Sequence, residues 1–245
     1  MSTQNIAALR PAQGPESSAA VIRTQHRRRY LMCRPDHFTV AYRINPWMHP
    51  QEPTDTALAL AQWQTLHDAY VRLGHEVELI DSIAGLPDMV YSANGGFTLD
   101  GVAYTARFTH PERQPEGPAY GDWFRENGFR VHEAREVNEG EGDFLLVGDV
   151  VLAGTGFRTS PESHRELAQV TGREVVTLRL VDPRFYHLDT ALAVLDPEGA
   201  DANIAYLPEA FDAGSRAELE RRYPDAVAVS ADDAQWLGLN SISTA

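Results

Sequence analysis

The chain has 245 residues, enough to bury a core in one large domain or in two small ones. Hydrophobic residues make up 43% of it and charged residues 23%, as in soluble globular proteins. The formal net charge of −14 argues against nucleic acid as the main partner, because phosphate binding needs a positive surface. An acidic pocket would instead attract a small cationic ligand.

The N-terminus and the single cysteine indicate in which cellular compartment the protein is expected. Residues 1–27 show no periodicity and are rich in Ser, Ala, Gln, Gly and Pro, which predicts a flexible tail. This segment contains no signal-peptide core, and no apolar run in the chain reaches the ~18 residues of a membrane span. Cys33 has no second cysteine to pair with, which fits a reducing cytoplasm.

The first predicted elements are a strand, a helix and a second strand. Residues 30–33 form a short apolar run closed by Pro35. Thr54 is a suitable N-cap for a helix that ends before Gly74, and residues 77–80 form the next strand. One face of this helix is apolar and comprises Trp63, Leu66, Tyr70 and Leu73.

The next predicted elements are paired strands, each pair followed by a helix and a further strand. Residues 88–91 are strand-like, Asp100-Gly101 predicts a hairpin turn, and a helix over 118–127 precedes a strand from Phe129. A second hairpin turns at Gly148-Asp149. Ser160-Pro161 then begins a helix that ends at Gly172, and residues 174–180 form a strand.

A fourth unit follows the same order. Its segments are a strand at 190–195, a turn at 196–199, a strand at 204–207, a helix at 215–223 and a strand at 226–229.

The chain thus repeats strand, strand, helix, strand at intervals of roughly 45 residues. We predict one domain of the α/β class over residues 28–245, built from pseudo-symmetric ββαβ modules in a propeller-like ring. A Rossmann fold is the alternative, but no G-x-G-x-x-G motif follows a strand and the hairpins are numerous. In a ring, loops of successive modules converge on the axis, so polar residues there would meet.

Four polar clusters occupy those loop positions. His187 and Asp189 lie two residues apart at the start of an apolar run, so in an extended segment both face one side. The segment 138–143 places three acids between glycines, which favours backbone conformations that turn the acids inward. Asp88 precedes a predicted strand that leads to Asn94. Arg113 and Arg158 each follow a hairpin; the polar surroundings of Arg113 favour the surface, and Arg158 could support its loop.

Together these residue types suit a planar cation. Carboxylates bind a guanidinium through paired hydrogen bonds, and two arginines would suit the carboxylate of an amino-acid ligand. The missing element is a nucleophile.

These residues resemble the guanidino-group modifying superfamily, which includes arginine deiminases, dimethylarginine dimethylaminohydrolases (dimethylargininases), amidinotransferases and arginine dihydrolases. The resemblance covers about residues 28–245 and is nearest to the dimethylargininase-like branch. It is carried by four motifs, at residues 44–48, 87–94, 139–143 and 187–190. It implies a pentein-like propeller of five ββαβ modules, of which the last is incomplete in this chain.

The resemblance also implies roles for the matching residues. His187 would be the general acid and base, and Glu139 would orient it and hold the guanidinium. Glu141 and Asp143 are alternates, because this motif is one residue longer than the usual E-G-G-D. The remaining positions would bind substrate. Asp88 and Asp189 would bind its guanidinium or amine group, and Arg113 and Arg158 would bind its carboxylate. Asn94 and Asn45 would be further substrate-binding residues. No metal and no cofactor are implied, and a homodimer stays open.

In the family, a cysteine thiolate attacks the guanidinium carbon, and histidine protonates the leaving amine. The resulting thiouronium-type adduct is hydrolysed or passed to an acceptor amine. We therefore expect a cytoplasmic hydrolase of the guanidino group of arginine or N-methylated arginine, giving citrulline plus an amine.

Two departures keep alternatives open. Asn94 stands where deiminases and many dimethylargininases carry aspartate, whereas amidinotransferases and arginine dihydrolases resemble this chain in having asparagine there. The family nucleophile lies near the C-terminus, whereas the one cysteine here, Cys33, is in an apolar strand and predicted to be inert. We interpret the chain as lacking the C-terminal segment of the family. The alternatives are an amidinotransferase, an arginine dihydrolase and a non-catalytic arginine-binding protein.

Overall fold

The computed structural model describes residues 27–197 and 202–243. The predicted tail, residues 1–27, lies outside the described residues except for Arg27, and so does part of the predicted turn at 196–199. No helix within the described ranges is long and apolar enough to cross a bilayer.

The first unit of the described residues is a βαβ unit. Strand β1 (Arg29–Cys33) and strand β2 (Glu76–Ile80) pair in parallel and are joined by helix α1 (Thr56–Arg72). The helix is capped by Asp55, whose side chain accepts a hydrogen bond from the backbone N–H of Leu58, and not by Thr54 as predicted. The hydroxyl of Thr54 instead accepts from the backbone N–H of Val40.

Three ββαβ modules follow and confirm the predicted repeat. Each has an antiparallel hairpin whose second strand also pairs in parallel with the strand after the helix. The second module comprises β3 (Gly96–Leu99), β4 (Val102–Thr105), α2 (Glu116–Glu126) and β5 (Arg130–His132). The third comprises β6 (Phe144–Val147), β7 (Val150–Thr155), α3 (Pro161–Thr171) and β8 (Glu174–Arg179). The fourth comprises α4 (Leu188–Ala191), β9 (Leu192–Asp196), β10 (Asn203–Tyr206), α5 (Ala213–Arg222) and β11 (Val227–Ala228), and α6 (Ala231–Ala234) follows it.

Two predicted strand positions are wrong. Residues 88–91 do not form a strand, because Pro87 starts a 3₁₀ turn (Pro87–Val90) that a second turn (Ser92–Gly95) continues. The fourth module does not open with a strand at Thr190 either. His187 is extended, but the next residues form the single turn of α4, so β9 begins at Leu192.

The apolar core lies at the junctions between successive modules. One cluster joins Cys33 and Ile80 of the first unit to Tyr120 and Phe124 of the second module. Two further clusters join the second module to the third and the third to the fourth. Within the described ranges, the strands form four sheets that share no strand. The predicted mixed α/β class is confirmed, and the ring arrangement of the modules stays a prediction.

Candidate active site

The predicted site residues come from turns at the ends of the modules, and most of them meet. The two 3₁₀ turns after β2 carry Asp88 and Asn94. A third 3₁₀ turn (Gly140–Gly142) is flanked by Glu139 and Asp143. Arg158 follows β7, and His187 directly precedes α4. All of these side chains are buried, so their charges act on one another with little screening by water.

His187 lies between two buried carboxylates. Its Nδ1 atom is 3.0 Å from Oδ2 of Asp143, and its Nε2 atom is 3.3 Å from Oε2 of Glu139. Burial by itself lowers the pKa of His187, but the charges and hydrogen bonds of Asp143 and Glu139 outweigh it and raise the pKa to about 9. The imidazole is therefore protonated at neutral pH and can donate a proton.

Asp143 orients His187 from the Nδ1 side. Its Oδ2 atom also accepts from the hydroxyl of Thr159 at 2.6 Å, and its Oδ1 atom accepts from the backbone N–H of Leu188 at 3.0 Å. The carboxylate is thus fixed by two neighbours before it binds the imidazole. Asp143 contacts Nδ1 of His187 and Glu139 contacts Nε2, so both carboxylates touch the imidazole, and the orienting role that the sequence assigned to Glu139 stays a prediction.

Glu139 is surrounded by cationic groups. Nη1 of Arg158 lies 3.2 Å from Oε1 and 2.9 Å from Oε2, and Nη1 of Arg113 lies 3.8 Å from Oε2. Burial alone would raise the pKa of Glu139, but His187 and the two arginines lower it to about 2. Glu139 is therefore ionised throughout the physiological range.

Glu141, the other alternate, lies outside this cluster. Glu141 lines a cavity of about 720 Å³ beside β1 and α1, together with Tyr30 and Thr98. His187 and Glu139 do not line that cavity. The geometry therefore does not favour the alternative in which Glu141 replaces Glu139.

Arg113 is buried, and the prediction of a surface position is wrong. Its Nε and Nη2 atoms donate to the two carboxylate oxygens of Glu116, at 3.0 and 2.8 Å. Its remaining donors bind Oδ1 of Asn94 at 3.1 Å and the backbone oxygen of Asp88 at 3.2 Å. The polar segment looked solvated because Asp88, Asn94 and Glu139, which also surround Arg113, lie elsewhere in the chain, where a local reading does not find them.

Glu116 is the site residue that the sequence analysis missed. It lies in the first turn of α2 and its side chain is fully buried. Its one local signal is the spacing of three residues from Arg113. The same spacing joins Arg165 to Glu162 on the surface, so the spacing does not identify a buried pair.

The irregular segment 40–48 lies against this cluster. The hydroxyl of Tyr42 donates to Oδ2 of Asp88 at 2.9 Å. The backbone oxygen of Ile44 accepts from Nη2 of Arg158 at 3.0 Å, and Nδ2 of Asn45 donates to the hydroxyl of Tyr186 at 3.1 Å. Asn45 thus reaches the site through Tyr186, whose ring lies 4.7 Å from the guanidinium carbon of Arg158.

Two carboxylates keep a buried oxygen without a hydrogen-bond donor among the described residues. These atoms are Oδ1 of Asp88 and Oδ1 of Asp189. Burial raises the pKa of both groups, to about 7 for Asp189, where the nearby charge of His187 opposes the rise. A buried oxygen without a donor costs about 1–3 kcal/mol, which a ligand bearing N–H groups would offset.

The cluster holds more acidic groups than cationic groups. The buried acids Asp88, Glu116, Glu139 and Asp143 face the cations Arg113, Arg158 and protonated His187, and Asp189 adds a further acid beside them. A buried site with this balance favours a cationic ligand. Among the described residues, no group of His, Cys, Asp and Glu side chains is arranged to hold a metal ion.

Cys33 does not belong to the cluster. It is fully buried at the end of β1 and packs with Ile80, Met89, Tyr120 and Phe124. Burial, together with nearby acids, raises the pKa of its thiol to about 12. The thiol is therefore protonated at neutral pH, and a protonated thiol is a poor nucleophile.

Comparison with known proteins gives close relatives. An N(G),N(G)-dimethylarginine dimethylaminohydrolase of Mycobacterium tuberculosis is 54% identical over 221 residues, which are 90% of this chain and 72% of the relative. The bifunctional arginine dihydrolase/ornithine cyclodeaminase ArgZ of Synechocystis is 42% identical over 201 residues, which are 80% of this chain and 28% of ArgZ. The chain matches no protein-family model.

Solved structures agree with these relatives. The N-terminal domain of ArgZ, bound to its substrate, superposes with a TM-score of 0.83 at 40% identity and covers 88% of this chain and 80% of that domain. A dimethylarginine dimethylaminohydrolase adduct with S-methyl-L-thiocitrulline superposes with a TM-score of 0.70 at 18% identity, which shows a shared fold.

Proposed function

The chain belongs to the dimethylarginine dimethylaminohydrolase family, a family of hydrolases, and we propose that it hydrolyses the guanidino group of arginine or of N-methylated arginine. The observation that carries this proposal is His187, held between Asp143 and Glu139 inside a buried cluster with more acidic than cationic groups. Such a cluster binds a cation and places a proton donor beside it.

The binding step uses the carboxylates. A guanidinium is planar and presents paired N–H groups, which suit the oxygens of Asp88 and Asp189 that have no donor. Glu139, ionised because its pKa is about 2, supplies a full negative charge 3.3 Å from Nε2 of His187. Asn94 contributes an amide to this set and so adds hydrogen bonding without charge.

The proton-transfer step uses His187. In the net reaction, the oxygen of water adds to the guanidinium carbon, and the C–N bond to the departing amine breaks as that amine takes up a proton. His187 carries that proton at neutral pH. Asp143 binds Nδ1, so the proton is delivered from Nε2 once the ligand takes the place of its contact with Glu139. With dimethylarginine, water and the substrate give citrulline and dimethylamine; with arginine, the same step gives citrulline and ammonia.

The prediction that Arg113 and Arg158 bind the substrate carboxylate remains part of the proposal. Both guanidinium groups contact protein carboxylates in the structure. The propeller arrangement of the modules, the homodimer and the cytoplasmic location also stay proposals.

The state of Cys33 supports a second candidate, a protein that binds arginine without turning it over. The family reaction uses a thiolate, and Cys33 is the one cysteine of the sequence. Its thiol is buried in a different cluster and has a pKa of about 12. On this reading, the site recognises the guanidinium and the chemistry does not follow.

A product assay separates the two candidates. Purified protein is incubated with dimethylarginine or with arginine, and citrulline, ornithine, dimethylamine and ammonia are measured. The proposed hydrolase gives citrulline, or ornithine if a second hydrolysis follows, and His187→Gln removes this activity. Cys33→Ser is the companion variant: retained activity excludes that thiol as nucleophile. Binding without product in the wild type supports the second candidate, and neither binding nor product overturns both.

A further inference from the structure

Arg158 and Glu139 bind each other although the proposed function assigns them to opposite ends of one ligand. Both side chains are buried, at 4% and 0% exposure, and Nη1 of Arg158 contacts both oxygens of Glu139. Glu139 is proposed to bind the ligand guanidinium, and Arg158 the ligand carboxylate. A ligand that reaches both groups must therefore separate them.

Arg158 is the cation that such a ligand would displace. Arg113 is held by two hydrogen bonds to Glu116, and His187 is held by Asp143, so each has a carboxylate of its own. The further contacts of Arg158 are the backbone oxygen of Ile44 and the ring of Tyr186, which carry no net charge. Glu139 is the one carboxylate in ion-pair range of Arg158 among the described residues.

The consequence depends on whether the ligand has a carboxylate. A buried ion pair that loses one partner leaves an uncompensated charge, which is strongly unfavourable. A ligand with a guanidinium and a carboxylate replaces the internal pair by two new pairs. A ligand with a guanidinium alone takes Glu139 and leaves Arg158 buried without a countercharge.

Resting on the proposed function, we infer that the Arg158–Glu139 ion pair is a specificity element that selects ligands carrying both a guanidinium and a carboxylate. A simple guanidine would bind weakly for two reasons. It makes no contact between a carboxylate and Arg158, and it leaves the buried charge of Arg158 without a partner. The inference predicts that removal of Arg158 makes a simple guanidine bind more tightly. If Arg158 only contacted the ligand carboxylate, its removal would not change the affinity for a simple guanidine.

Calorimetry with L-arginine and agmatine, its decarboxylated analogue, tests the inference. Wild-type protein should bind L-arginine at least about 100-fold more tightly than agmatine, because agmatine leaves a buried charge unpaired. In Arg158→Leu, L-arginine should weaken and agmatine should tighten, each by about 10-fold, so that the preference collapses. Agmatine affinity that is unchanged or weaker in this variant overturns the inference.

Arg113→Leu is the matched control. It also removes a buried arginine, but its hydrogen bonds go to Glu116 and it lies 3.8 Å from Glu139, so it should tighten agmatine clearly less than Arg158→Leu does. Equal tightening in the two variants overturns the inference, since the effect would then come from the charge balance of the whole cluster.

If Arg158→Leu does not fold, the affinity of the wild-type protein for agmatine in acetate tests the same inference. Acetate supplies the missing carboxylate as a separate molecule and should pair with the displaced Arg158. Agmatine should therefore bind several-fold more tightly in acetate than in chloride at equal ionic strength and pH. Equal or weaker binding in acetate overturns the inference. If neither L-arginine nor agmatine binds, the proposed function fails and this inference with it; equal binding of both overturns the inference alone.

Discussion

Asp143 holds His187 in place: Oδ2 of Asp143 lies 3.0 Å from Nδ1 of His187. The contact joins a turn before the third module to the start of the fourth, across 44 residues of sequence. Because Thr159 and the backbone N–H of Leu188 fix Asp143 in turn, the imidazole has one orientation, with Nε2 toward Glu139. The His-x-Asp tripeptide is common in proteins, and these contacts are what make it part of a candidate active site here.

Asp143→Asn should lower the pKa of His187. The substitution keeps the side-chain shape but removes the charge that, after the opposing effect of burial, does most to raise this pKa. We expect a fall of about 1–2 units, measured by NMR titration of the His187 ring protons. Asp149→Asn, at an exposed carboxylate, is the control and should leave the titration unchanged. An unaltered His187 pKa in Asp143→Asn would rule out the orienting role of Asp143.

The stability of the protein should fall at alkaline pH because of His187. Its pKa rises from an ordinary value of 6.5 to about 9 in the folded state, so folding favours the protonated form. This contribution is fully present below pH 6.5 and is lost as the pH rises through about 9. We expect the free energy of unfolding by urea to fall by at most about 3 kcal/mol over this interval. His187→Gln should lack this part of the pH profile; parallel profiles of the two proteins would contradict the assignment.

Glu116→Gln should destabilise the fold. The buried Glu116 carboxylate binds Arg113 through two hydrogen bonds, and its loss leaves that arginine with longer contacts to Asp88 and Glu139, at 3.9 and 3.8 Å. We expect a loss of about 2–4 kcal/mol in the free energy of unfolding. Glu162→Gln is the matched control, since it breaks an exposed pair with the same spacing and should have a much smaller effect on the free energy of unfolding. Equal effects would mean that burial does not strengthen the Arg113 pair.

Gly142→Ala should disturb the site directly. A Cβ atom there would overlap Nδ2 of Asn94 and lie 3.3 Å from Nδ1 of His187. We expect a loss of about 1–3 kcal/mol in stability and a shifted His187 titration, measured by urea unfolding and NMR. Gly214→Ala is the control, because its Cβ would meet only Oδ1 of Asp212 at 3.7 Å in a helical turn. A Gly142→Ala protein with wild-type stability and titration would show that the backbone does not approach Asn94 this closely.

The sequence predicted the repeated module well because its signals are local. Asp100-Gly101 and Gly148-Asp149 lie at two-residue turns between antiparallel strands, as predicted, and Ser160 caps α3. Turn and cap residues act through the backbone within a few positions, so a local pattern is sufficient. The prediction failed at 88–91, where an apolar run looked like a strand and Pro87 instead began a 3₁₀ turn.

The sequence predicted which residues belong to the site but not which of them contact one another, because these contacts join residues far apart in the chain. Nothing near Arg113 in the sequence shows that Asp88, Asn94 and Glu139 surround it in the fold. The different roles of Asp143 and Glu139 depend on which ring nitrogen of His187 each carboxylate contacts, and the sequence does not show this. Glu116 was missed for the same reason, since a helix-terminal acid is ordinary on the surface.

The most direct test of guanidinium recognition compares L-arginine with L-citrulline by calorimetry at pH 7.5. The two amino acids have nearly the same shape, but the ureido group of citrulline is neutral. The excess of buried acidic groups predicts that L-arginine binds at least about 10-fold more tightly, and that Glu139→Gln narrows this difference. Equal or tighter binding of L-citrulline, or no detectable binding of L-arginine, would contradict a guanidinium site at His187 and Glu139.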